Sequence, residues 1–172
     1  MTELEVRQLA AEDWAQLRTT WLAALAEAPY AFASTVTREQ QLTEQDWRER
    51  AGRGGTFAAW DGDAIVGLAT GLDRGGGDWH LVGMWVSPKV RGTGIADRLV
   101  AAVCDLAKYS GATSVTLWVT EVNGRARAFY RRLGFVPTGD RQLVRPEEPD
   151  HWEEELALRL RDPVRHDHHE PP

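Results

Sequence analysis

The chain has 172 residues, one cysteine and a net charge of −6 at pH 7. That length supports one domain with a real core and leaves no room for a second. The acidic balance gives no sequence-wide positive field toward nucleic acid or anionic lipid, and one cysteine builds neither a disulfide nor a cysteine-only metal site.

The first residues, MTELEVRQLA, lack the basic-then-apolar plan of a secretory signal, and no apolar run nears the ~20 residues of a membrane span. With the lone cysteine, this points to the cytoplasm. Residues 3–9 alternate as a first strand. From Glu12 to Ala28, Trp14, Leu17, Trp21, Leu22 and Leu25 recur at helical spacing, and Pro29 ends the helix. PYAFAST follows as a loop, and Thr43 with Asp46 forms a capping box that opens a short helix through Arg50.

TFAAW, the turn DGD and AIVGLATGL read as a hairpin, since Asp-Gly between apolar runs favours a tight turn. WHLVGMWV, residues 79–86, is another strand, in which Gly83 marks a bulge or a close approach. A helix from about Gly94 to Tyr109 carries Leu99, Val103 and Leu106, and SVTLWV is the strand after it. Strand, helix and strand in that order predict a parallel crossover, with ligands at the carboxyl ends of the strands. NGRARAFYRRL is a helix capped by Asn123 and stopped by Gly134; FVPTG and HWEEELALRL are the last strands. The glutamates at 153–155 read as an exposed strand edge. The tail from Arg161, including HDHHE at 166–170, reads as a solvated, disordered segment rather than a metal site, so the domain is expected to span 1–160.

Between the strand and the helix stands SPKVRGTGIAD, residues 87–97. A glycine turn that opens a helix aims backbone amides and the helix's partial positive charge at one point, which suits a diphosphate. Gly92 and Gly94 permit a close approach, and Arg91 adds a cationic fork. A nucleotide-triphosphate loop would need Lys followed by Ser or Thr after the last glycine, and a dinucleotide fingerprint would need glycine where Asp97 stands. The sequence supplies neither.

VSPKVRGTGIADRLV followed by LWVTEVNGRARAFYRRLGF resembles the acetyl-coenzyme A site of the GCN5-related N-acetyltransferase (GNAT) family. Arg91, Gly94 and Ala96 match the family's pyrophosphate pattern; Asn123, Tyr130, Leu133, Gly134 and Phe135 match its later one. The likeness covers roughly residues 64–138. It implies an α+β, three-layer αβα, acyl-coenzyme A N-acyltransferase fold. The sheet would be mixed, mostly antiparallel, six- to seven-stranded and splayed at a central parallel pair. The implied activity is direct transfer of an acetyl group from acetyl-coenzyme A to a primary amine of a small molecule or peptide.

By this resemblance Arg91, Gly92, Thr93, Gly94, Ile95 and Ala96 bind the pyrophosphate, and the pantetheine arm runs along Met84, Trp85 and Val86. Asn123 bonds the arm or a water beside it, and Tyr130 donates a proton to the departing thiolate. Asn123 and Tyr130 lie seven residues apart, on nearly the same helix face. Their plainer roles are a helix cap and a core aromatic. The acceptor ammonium must lose a proton. Many family members use a glutamate on the strand before the loop, and WHLVGMWV has none, which leaves His80 as first candidate, with Asp78, Glu121 or water as the others. On strict alternation His80 faces the same way as Val82, Met84 and Val86.

The expected acceptor walls are Tyr30, Phe32, Trp79 and the stretch from Arg141 to Trp152, suited to a cationic small molecule or peptide amine. Cys104 reads as core packing. A protein N-terminal or lysyl acetyltransferase and a non-catalytic acyl-coenzyme A sensor are the alternative functions, and a homodimer is left open, with Trp152 a candidate interface residue.

Overall fold

The computed structural model describes residues 3–29, 32 and 34–160. Seven strands make one mixed sheet in the order β1-β2-β3-β4-β5-β7-β6, from β1 (Glu5–Gln8), β2 (Thr56–Asp61), β3 (Ala64–Asp73), β4 (Asp78–Val86), β5 (Ser114–Thr120), β6 (Val136–Leu143) and β7 (Trp152–Arg159). Only β4 and β5 pair in parallel; the other neighbours are antiparallel. The helices are α1 (Trp14–Glu27), α2 (Val36–Glu39), α3 (Glu44–Gly52), α4 (Ile95–Tyr109) and α5 (Gly124–Arg132).

Local chemistry explains most boundaries. The hairpin turns at Asp61, Gly62 and Asp63, with Gly62 at φ 61°. α3 opens on the capping box: Thr43 N donates to the Asp46 carboxylate at 2.8 Å and Asp46 N to Thr43 Oγ1 at 3.2 Å. Ala28 closes α1 just before Pro29. The four-residue α2, which the sequence reading did not anticipate, follows PYAFAST directly; Thr35 caps it by accepting from Arg38 N at 3.2 Å.

α4 and α5 cover one face of the sheet and α1 and α3 the other. On the α4 side, Ile95, Leu99, Val103 and Ala107 recur at helical spacing and pack on Ala59, Ala69, Trp79, Leu81, Val115 and Leu117. Leu99 is fully buried, an environment that stabilises by about 1.5–3 kcal/mol per such side chain relative to exposure. On the other side Leu17, Trp47 and Ala51 pack on Ala58, Trp60 and Leu68. Cys104 lies in the α4 core, where burial pushes its thiol up to about 11.

Two sequence expectations need correction. β7 lies inside the sheet, between β5 and β6, so the glutamates at 153–155 are not an exposed edge. Glu153 is buried, Glu154 pairs with Arg127 at 2.8 Å, and Glu155 accepts from Thr138 Oγ1 at 2.9 Å. The second concerns β4. Its pairing with β3 passes from Leu68↔Trp85 to Thr70↔Val82, so Gly83 and Met84 together face Ala69. This bulge, with Gly83 at φ 62°, reverses the alternation. Met84 and Val86 therefore join Trp79 and Leu81 on the α4 side, and His80 does not share their facing.

Candidate active site

β4 and β5 are in register only from Asp78↔Ser114 to His80↔Thr116. Beyond His80 they separate, so the β5-facing backbone of β4 from Met84 to Val86 has no strand partner among the described residues while its other edge stays paired, Trp85 to Leu68 and Val86 to Gly67. An extended chain laid into this gap meets a ready row of donors and acceptors. A cleft of about 810 Å³ runs along it, walled by Met84, Trp85 and Val86, by Arg91, Gly92, Gly94, Ile95 and Ala96, and by Asn123 and Tyr130 on α5. The structure thus brings together ten of the residues singled out from sequence, and Phe32 closes the same cleft.

The turn into α4 works through its backbone. Gly92 and Gly94 take φ 81° and 82°, a left-handed conformation that side chains resist. Among the described residues the amides of Gly92, Gly94, Ile95 and Ala96 meet no backbone acceptor, and the last two belong to the helix's unsatisfied first turn. The four donors and the positive end of the helix suit an anion. Thr93 is the exception within the motif: its Oγ1 donates to Val90 O at 2.6 Å, inside the turn, and it does not line the cleft.

Arg91 is less free than the motif alone implies. Its Nε donates to Val86 O at 3.1 Å and its guanidinium to Glu27 Oε1 at 2.9 Å. Burial raises the pKa of the Glu27 carboxyl, but hydrogen bonds from Trp85 and Arg91 outweigh it and hold the group below its ordinary value. Arg91 therefore fastens the end of α1 to the turn. Asp97, in the first turn of α4, is clamped by Arg132 at 2.8 and 3.1 Å, a pairing that holds its carboxyl below the usual range. Arg125 and Arg132 line the cleft as well and were not anticipated; their place on α5, the helix that carries Asn123 and Tyr130, was the available signal.

Asn123 caps α5, its Oδ1 accepting from Ala126 N at 3.1 Å, and still lines the cleft. Both of its expected roles are therefore open to one side chain, through different atoms. Tyr130 is 7% exposed, packs against Phe129 and Phe135, and forms no hydrogen bond through its hydroxyl among the described residues. Burial pushes the phenol well above its ordinary pKa, so at neutral pH it holds its proton as a donor.

The structure places His80, Asp78, Glu121 and Trp79 outside the cleft wall. His80 is buried at the paired end of β4, its Nδ1 2.9 Å from Thr116 Oγ1, and is not part of the cleft wall. Burial holds the imidazole below its ordinary pKa, Arg74 adding to the effect and Asp78 opposing it. Asp78 accepts from Ser114 and Thr116 at that same end. Glu121 is held by Arg141 at 2.6 Å, which lowers its pKa. Trp79 is a core residue under α4 rather than a wall of the acceptor site, because it precedes the bulge on the α4 side. Phe32 stands edge-on to Trp21, ring centres 4.9 Å apart, and its carbonyl accepts from Arg145 at 3.1 Å. Tyr30 and the tail from residue 161 lie outside the described residues.

The profile of the Acetyltransferase (GNAT) family matches residues 10–135. Mycothiol acetyltransferase of Thermobispora bispora is 31% identical over 125 residues, 67% of this chain; the match spans 42% of that relative's length. A GNAT acetyltransferase from Streptococcus pneumoniae superposes with a TM-score of 0.77 at 20% identity, covering 92% of this chain and 99% of the other. The yncA protein of Salmonella typhimurium, solved with its cofactor acetyl-coenzyme A, gives 0.75 at 15% identity, covering 95% and 97%. These similarities establish the expected fold, with seven strands and the parallel pair at its centre.

Proposed function

Because the chain belongs to the acetyltransferase (GNAT) family, we propose that it transfers the acetyl group of acetyl-coenzyme A directly to a primary amine of a small molecule or peptide. The observation that carries this reading is the convergence of one cleft on three features: four acceptor-free amides at the start of α4, an unpaired strand edge on β4, and a protonated Tyr130 facing them.

Acetyl-coenzyme A would supply the activated acyl group as a thioester. The amides of Gly92, Gly94, Ile95 and Ala96 would hold the diphosphate, and the gap-facing backbone of Met84–Val86, whose Val86 O is already taken by Arg91, would align the arm and polarise the thioester carbonyl through its N–H groups. Arg125 adds positive charge beside the turn, while Arg132 offsets the neighbouring Asp97. Tyr130 gives its proton to the departing sulfur, a task that a phenol held protonated by burial can perform at neutral pH. Asn123 fixes the start of α5 and hence the approach of Tyr130 seven residues on. No helix among the described residues is long and apolar enough to cross a membrane, and the one thiol, buried in the core, suits a reducing, cytoplasmic setting.

The test is acetyl transfer from acetyl-coenzyme A to a panel of primary amines, read by thiol release. Turnover by the native protein, lost in Tyr130→Phe while cofactor binding persists, supports an enzyme. Equal turnover in the two proteins would remove Tyr130 as the acid, and cofactor binding without any transfer would favour a sensor.

A further inference from the structure

The described residues include two buried carboxylates, Glu39 and Glu153. Glu39 pairs with Arg50 at 3.1 Å. Glu153 has no cation within ion-pair distance among the described residues, and its one side-chain bond is to a neutral group, Gln142 Nε2, at 2.7 Å. A buried carboxyl group with one neutral partner is costly and calls for an explanation.

Its surroundings supply one. Thr120 is the register partner of Glu153 on β5, as Gln142 is on β6, so the three side chains form a row on one face of the sheet. Thr120 is 4% exposed, and its Oγ1 is buried without a hydrogen-bond partner. Two residues before Glu153, His151 Nε2 is likewise buried and unpartnered. Glu154, one residue on, turns the other way and pairs with Arg127 of α5, which sets the Glu153 row on the face opposite α5. The row also stands at the carboxyl end of β5, beyond the point where β4 and β5 part. A sheet open at that point lets ligands on its two faces meet through the gap.

Resting on the acetyltransferase reading above, we infer that Glu153 and Thr120 seat the ammonium group of the acceptor. The substrate is then a cationic primary amine, not an alcohol or thiol, and it reaches the gap from the α1 face while acetyl-coenzyme A lies on the α4 and α5 face. The carboxylate balances the ammonium charge and the threonine hydroxyl accepts one of its N–H bonds.

The test compares the full chain with Glu153→Gln and Thr120→Val. Acetyl-coenzyme A binding is measured by calorimetry. Acetylation of phenethylamine, cadaverine and spermidine, with phenethyl alcohol as the uncharged control, is read by mass spectrometry, and binding of the same compounds to the coenzyme A-loaded protein by saturation-transfer NMR. The inference predicts cofactor affinity within about twofold in both variants and a melting temperature for Glu153→Gln equal to or above the native one. It also predicts amine binding or kcat/KM reduced by about 100-fold in that variant, with the alcohol untouched by all three proteins. Amines handled equally by native protein and Glu153→Gln, alcohol acetylated as well as amine, or no native binding of any amine would overturn it. So would a marked fall in melting temperature with amine handling intact, which would make Glu153 structural. Loss of acetyl-coenzyme A binding by the native protein would instead strike at the acetyltransferase reading.

Discussion

Glu27, the last residue of α1, and Arg91, in the glycine turn before α4, are ion-paired at 2.9 Å across 64 positions of sequence. The pair ties the helix on one face of the sheet to the glycine turn on the other, and places a carboxylate near the expected diphosphate. Arg91 keeps a second anchor, Val86 O, without Glu27. Glu27→Gln should therefore leave the turn ordered, remove a nearby negative charge and tighten acetyl-coenzyme A binding up to several-fold at low salt, fading at high salt. Arg91→Ala should weaken it about tenfold. Calorimetry at two ionic strengths checks both; weaker binding in Glu27→Gln would show that the ion pair itself organises the site.

Gly94 caps α4 at φ 82° with open space around a would-be Cβ, so an added methyl group meets backbone strain rather than a clash. Gly94→Ala should cost about 1 kcal/mol, or about 2–4 °C in melting temperature for a domain of this size. The amides would tilt, and cofactor affinity should fall more than stability alone accounts for. Thermal melts and calorimetry on one preparation separate the two effects.

Tyr130→Phe removes a hydroxyl that bonds nothing among the described residues and leaves the ring packed on Phe129 and Phe135. Stability and cofactor affinity should be unchanged, while kcat falls about 100-fold, the scale of a lost general acid. Since burial raises the phenol's pKa, the native protein should show no loss of acid function up to pH 9. A pH-rate profile that declines with a pKa below 9 would contradict that role.

His80 is held neutral by burial, with its pKa below the unfolded value. The unfolded chain binds the extra proton first, so stability should fall as pH drops from the unfolded pKa of about 6.5 toward the folded one. The loss in melting temperature between pH 7.5 and 5.5 should be smaller in His80→Asn. With His80 outside the cleft wall, that variant should retain kcat within about threefold of the native value; a collapse in kcat with the fold intact would return the residue to the reaction.

Much of this was legible because it depends on short-range chemistry. The Thr43–Asp46 box, the Asp61–Gly62 turn, the Asn123 cap and the glycine turn before α4 are set by residues within a few positions of one another. Gly83 was readable as a bulge, but its consequence was not: one inserted residue reverses the facing of everything after it, so strict alternation put His80 with Met84 and Val86, which the structure separates from it. The partners of Arg91 and Asp97 are distant in sequence, and no local pattern marks Glu27 or Arg132 for them. Glu153 was hidden among three glutamates, because strand order, not composition, decides which of them is buried.

The central claim is that the turn at 91–96 holds the cofactor's diphosphate, and calorimetry of acetyl-coenzyme A with the native protein and Ala96→Glu tests it most directly. Ala96 lines the cleft in the first turn of α4, so a glutamate there would add bulk and negative charge where the diphosphate should lie. The account predicts micromolar binding by the native protein, about −8 kcal/mol, abolished in the variant while its melting temperature is preserved. Equal binding by both proteins, or none by the native one, would contradict it.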